Sequence, residues 1–317
     1  MPKTKFPYGV SSYNVPVVPW VWNKPLGFNG PGSTSQPGSN VFFVNSATKL
    51  AADAAGSNGL TPQVPFKTLN YALTQTVNNN GDVIYCGPQH VETVIAGGGL
   101  TFPSATAAGV TVVMQGNYTD RATVNFTTST TARVTIVASN VTWINPMFTC
   151  GIDALADAVS VNGPNCTLVG VDFVNTLAAC AAIQILTIGA AVNLRIYGYN
   201  YNLQGTITGT EPTEAIRIVG GSGHVLENVN IQGAFSTGCL NNITTAFHNL
   251  ALINSYLCNL DTGPIPAWAL LTTSTGIGAG VILSVASGST WITASNKIAF
   301  DLASSGVIPG GTPASPI

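Results

Sequence analysis

From about residue 110 the sequence repeats itself, loosely but persistently, and that repeat leaves very few folds open. Units begin at Ala132, Ala158, Ala182 and Ala215, about 26, 24 and 33 residues apart, and a last copy covers 240–243 and 248–253. Each unit holds two short runs of alternating apolar and polar residues joined by a polar corner. Such alternation marks a strand with one buried face. A unit this short cannot bury its own apolar side chains, so neighbours must stack. The fold class expected is all-β: a right-handed parallel β-helix, with coils one strand-spacing apart and Ala, Val, Ile, Leu and Phe turned into the cylinder. Asn140, Asn165 and Asn193 fall at corners. Asn tolerates left-handed backbone and carries both donor and acceptor, so corner Asn side chains can hydrogen-bond along the axis. A β-sandwich of many short strands is the competing reading. The repeat and the rarity of two-residue hairpin signals argue against it.

The chain ahead of the repeat divides into an arm and a cap. Residues 1–40 read as an extended docking arm in which Phe6, Tyr8, Tyr13, Trp20, Trp22 and Phe28 are spread among prolines. Proline at this density prevents a helix, and exposed aromatics of this kind are suited to burial against a partner. The β-helix is expected over 41–286. Phe66, Leu69, Ala72, Leu73 and Val77 show helical spacing, which predicts one short capping helix near 69–77, ended by 78–81. Residues 287–317 are expected to be a C-terminal cap or tail, since a solenoid needs its open ends covered.

Composition narrows the function. Only 7% of residues are charged and the net charge is -2, against about 25% charged in an ordinary soluble domain. No basic field exists for nucleic acid, and no apolar run is long enough to span a membrane. Pro2, Pro7, Pro16 and Pro19 break the first 21 residues, which therefore do not read as a secretory signal. The six cysteines, Cys86, Cys150, Cys166, Cys180, Cys239 and Cys258, form no CxxC pair. They are expected to be small buried hydrophobes, and no metal or other cofactor is called for.

The start of the body carries a recognisable pattern. Val41-Phe-Phe-Val-Asn45, the loop Gly56-Ser-Asn-Gly-Leu-Thr-Pro62, Pro65-Phe-Lys-Thr-Leu69 and Gly81-Asp-Val-Ile-Tyr-Cys-Gly-Pro-Gln-His-Val-Glu92 resemble the opening module of pectate-lyase-like β-helix proteins. Phe6-Pro-Tyr-Gly-Val-Ser-Ser12 further resembles the N-termini of structural proteins in tailed-bacteriophage genomes that carry this module. The resemblance implies a virion structural protein, with a capsid decoration or head-fibre protein as first choice. Its arm would bind another virion protein, the major capsid protein, at the virion surface, and the subunits would associate as a homotrimer. A tail spike or fibre that binds or degrades host polysaccharide is the alternative.

If the chain is an enzyme, Asp157 and Glu214 are the best pair of carboxylates, because both immediately precede a repeat's first Ala. They would sit two coils apart, roughly 10 Å at normal strand spacing, near the upper end for an inverting glycosidase. The alternative is a pair of solvated acids at strand entries. Tyr197, Tyr199 and Tyr201 alternate in one strand and could present one aromatic face, either to a glycan or to a neighbouring subunit. His90 and Glu92 share a strand face and resemble the structural start of the module.

Overall fold

The computed structural model describes residues 39–285 apart from 55, 57, 118, 177, 204–206, 242–247, 262–264 and 270–274, together with short strands at 10–12, 15–17, 300–303 and 306–307. The aromatics expected to dock, Phe6, Tyr8, Tyr13, Trp20, Trp22 and Phe28, lie outside the described residues. The arm's two described strands, Val10–Ser12 and Val15–Val17, pair antiparallel.

From residue 41 onward the named strands pair in parallel. The chain is an all-β solenoid of about 7 turns, matching the right-handed parallel β-helix expected from the repeat. From Val83–Cys86 to Trp268–Ala269 each coil supplies strands to three sheets, where the sequence pattern suggested two strands per unit. The first sheet runs from Val41–Val44 through Val83–Cys86, Thr111–Met114 and Thr142–Ile144 into the N-terminal halves of the long strands Thr167–Asn175, Arg195–Asn202 and Val225–Gly233. It continues through Leu250–Ile253 and Gly276–Ala279. The second sheet includes Val91–Val94, Thr123–Phe126, Met147–Cys150, the C-terminal halves of the long strands, Tyr256–Asn259 and Ile282–Val285. A separate seven-stranded sheet runs from Leu100–Phe102 to Trp268–Ala269. Phe300–Ala303 and Gly306–Val307 pair onto the first and second sheets at their far end.

Two columns of left-handed residues turn the chain. The first holds Gly81, Gly109, Asn140, Asn165, Asn193, Gly223 and Asn249, each two residues before the first sheet's register line and each with φ between 54° and 74°. Only Gly and Asn appear, because other side chains meet the backbone at such angles. The expected amide ladder is present: Asn165 Nδ2 donates to Asn140 Oδ1 (3.2 Å) and Asn193 Nδ2 to Asn165 Oδ1 (2.9 Å). It stops at Gly223, where a Cβ would lie 2.3 Å from Asn193 Oδ1. The second column holds Asn145, Gly170, Gly198, Asn228, Asn254 and Gly280, and marks the bend between first and second sheets.

The capping helix is Leu69–Gln75, shorter than the 69–77 expected. Thr76 leaves helical geometry (ψ 157°), and Val77, assigned to the apolar stripe, is exposed. The opening motif residues earn their places structurally. Thr68 caps the helix by accepting from Tyr71 N–H, while Glu92 reaches back to accept from Leu69 N–H (2.7 Å) and Asn70 N–H (3.2 Å). A carboxylate there complements both the unpaired amides and the helix dipole. Asp82 is buried and accepts from Asn40 N–H (2.6 Å) and Val77 N–H (2.7 Å), tying the helix exit to the first strand. His90 is buried, with Nδ1 accepting from Ser46 N–H and Nε2 3.3 Å from Glu92. The free edge of Val41–Val44 is closed by Gly59 and Phe66, since Phe43 N–H donates to Gly59 O and Phe66 N–H to Phe43 O.

The interior is one continuous apolar column. Trp143 of the first sheet sits fully buried against Phe102 of the third sheet (ring centroids 5.0 Å) and Phe148 of the second (5.3 Å). All six cysteines are buried and free, as expected for small hydrophobes.

Candidate functional site

The first sheet's outward face has an unusual composition. Register aligns Phe43, Tyr85, Val113, Ile144, Val169, Tyr197, Glu227, Ile253 and Ala279 in one row, one residue per coil. Two residues earlier on each strand stand Val41, Val83, Thr111, Thr142, Thr167, Arg195, Val225, Ala251 and Ile277. An outward solenoid face normally carries polar side chains. Here both rows are apolar or Thr except for Arg195 and Glu227. Most members are partly exposed, and Phe43 and Tyr85 stack on each other at 5.9 Å. Over the middle coils the face hollows into a groove of about 750 Å³, bounded by Asn140, Asn165 and Asn193 and floored by Thr142, Thr167, Ile144, Val169, Arg195 and Tyr197.

Around the corner, the second sheet's outward face is amide- and hydroxyl-rich. Thr149 Oγ1 bonds Asn125 Oδ1 (3.1 Å), and Asn230 Nδ2 donates to Asn200 Oδ1 (3.4 Å). The same face also carries the exposed Val91, Val174 and Ile282.

The tyrosines correct the sequence reading. Only Tyr197 lies on the outward face; Tyr199 and Tyr201 are each 1% exposed and point inward. The cause is Gly198, whose left-handed φ of 73° shifts the alternation by one residue between Tyr197 and Tyr199. Inside, Tyr199 O–H donates to Gln184 Oε1. Burial pushes the phenol pKa of both Tyr199 and Tyr201 upward, so both stay neutral.

Asp157 and Glu214 do share one sheet, in register through Ile183 and two strands apart. They are not solvated acids at strand entries. Asp157 is 5% exposed and Glu214 is fully buried, and each is held by an arginine. Arg133 Nε lies 2.6 Å from Asp157 Oδ2, and Arg217 Nη2 lies 2.6 Å from Glu214 Oε1, which also accepts from Asn241 Nδ2. Burial raises the Asp157 carboxyl, and the Arg133 charge works against that shift. Glu214 Oε2 is left without a hydrogen-bond partner. His224, also buried, takes Leu194 N–H at Nδ1 and faces Gly220 O through Nε2; burial lowers its pKa, so the imidazole is neutral.

One further cluster escaped the sequence reading. Arg121 is 8% exposed and gathers four acceptors: the Asp172 carboxylate and the carbonyls of Asn145 (2.9 Å), Pro146 (2.9 Å) and Gly170 (2.8 Å). These belong to the bend between the first two sheets, so the guanidinium clamps successive coils at their corner. Among the described residues no group of three or more His, Cys, Asp or Glu could hold a metal ion.

The architecture defines the class: a right-handed parallel β-helix. A pectate lyase, Pel9A, superposes with a TM-score of 0.59 at 10% identity, covering 89% of this chain and 78% of that one. A rhamnogalacturonan lyase superposes with a TM-score of 0.52 at 12% identity, covering 80% of this chain and 73% of that one. No protein-family model and no curated protein matches the sequence. At such identities the likeness concerns the fold.

Proposed function

We propose that the chain is a structural component of a tailed-phage particle, a capsid decoration or head-fibre protein whose N-terminal arm binds the major capsid protein. The observation that carries this reading is the outward face of the first sheet, two rows that from Val41–Val44 to Gly276–Ala279 are apolar or Thr except for Arg195 and Glu227. A face of that kind is suited to being covered by protein. The charge-poor body is suited to endurance, and Asp157 and Glu214 are each held by an arginine. Deleting residues 1–30 is expected to leave a folded body, with unchanged circular dichroism, that no longer joins particles during infection. Normal incorporation of the truncated chain would overturn the arm's role.

A second reading has one observation in its favour. The groove beside Tyr197 joins an aromatic ring, an arginine and ladders of Asn and Thr, a set that suits a saccharide. It would make the chain a tail spike or fibre. Incubation with host surface polysaccharide, read as new reducing ends or unsaturated products, separates the two readings.

A further inference from the structure

We infer that the first sheet's outward face is covered by a second copy of this chain, with Arg195 of each copy set against Glu227 of the other. Among the described residues there are four arginines, and three of them grip a carboxylate: Arg121 with Asp172, Arg133 with Asp157 and Arg217 with Glu214. Arg195 alone has no such partner. Glu227 likewise makes no ion pair. Yet over the nine strands from Val41–Val44 to Gly276–Ala279 these two are the charges on an otherwise apolar face, with Asp301 following only on the next strand, and they stand on adjacent strands. Register sets Arg195 beside Val225 and Tyr197 beside Glu227, so the two charges occupy one diagonal of a four-residue patch.

A patch with one positive and one negative corner is self-complementary. A twofold axis lying in the plane of the face and passing through this patch brings each Arg195 within reach of the other copy's Glu227, twice over. Such a reciprocal contact is what an isologous pair requires. The same operation lays apolar rows on apolar rows, since both sides of the patch consist of Val, Ile, Ala and Thr. A partner with a different surface would have to supply an acid and a base at matching positions; a second copy supplies both. The pairing replaces the three-chain association expected from the sequence; it rests on the reading of the chain as an assembly component and deepens it, but it is independent of which particle is assembled.

The test uses the full chain and two charge reversals, Arg195→Glu and Glu227→Arg, measured by sedimentation equilibrium. Wild type is expected to form a two-chain species. Each reversal alone places like charges across both contacts and is expected to weaken association by about 100-fold, with the far-UV circular dichroism of the folded chain unchanged because both side chains reach solvent. A 1:1 mixture of the two variants restores opposite charges at both contacts and is expected to return a two-chain species containing one of each. Wild type that remains single, whether its own arm or nothing covers the face, overturns the inference. So does a three-chain species, or reversals that associate as wild type does. Particle incorporation of the reversal variants is read separately, so a failed pairing and a failed phage assignment remain distinguishable.

Discussion

Replacing Arg121 by alanine lowers the stability of the solenoid by about 3–5 kcal/mol, because it strands buried groups that nothing else can satisfy. The guanidinium serves the Asp172 carboxylate and three carbonyls on two successive corners. Water cannot replace it freely at a position only 8% exposed. Lysine does not rescue the loss, since one ammonium cannot reproduce a planar fork that meets four acceptors. Urea denaturation followed by circular dichroism measures the effect. Asp172→Asn serves as the comparison: its side chain is 26% exposed and the three carbonyl contacts survive, so it costs much less. Equal losses from the two variants would show that the ion pair, and not the carbonyl clamp, is what matters.

Trp143→Ala produces a loss of similar size, about 3–5 kcal/mol, through a cavity that three sheets cannot close together. The indole is the place where first, second and third sheets meet, through Phe148 on one side and Phe102 on the other. Trp143→Phe is expected to retain most of the stability. The Trp143 Nε1 hydrogen has no acceptor, so the smaller ring gives up packing but no hydrogen bond. Thermal melting of the two variants checks both statements. A Phe variant as damaged as the Ala variant would place an unseen partner on the indole nitrogen.

Much of this architecture is readable from local chemistry, and the boundary of what is readable has a physical cause. Alternation with corner Asn residues suffices for the parallel stack, because period and turn chemistry are properties of neighbouring residues. The ladder of Asn140, Asn165 and Asn193 follows from the same logic and is present. The tyrosine stretch fails at a single glycine. Counting every second residue puts Tyr197, Tyr199 and Tyr201 together, whereas the left-handed turn at Gly198 sends the latter two inward. An isolated glycine within a strand pattern is itself a bulge signal, so the clue was there. The Arg121 clamp and the apolar outward face were beyond local reading. Arg121 meets Asp172 across 51 positions, and the face emerges only when nine strands are set in register. For the acids, adjacency to the repeat's first Ala was enough to align Asp157 with Glu214, but the arginines that hold them come from register, for Arg133, and from a contact three residues along one strand, for Arg217, which simple alternation does not offer.

The account's central claim is that this β-helix is a building block of a particle and its faces are contact surfaces. Electron microscopy of purified phage particles, with an antibody or tag marking this chain, tests it most directly. Label in regular array over the head is the result predicted. Particles without label, alongside a free chain that depolymerises host surface polysaccharide, would contradict it.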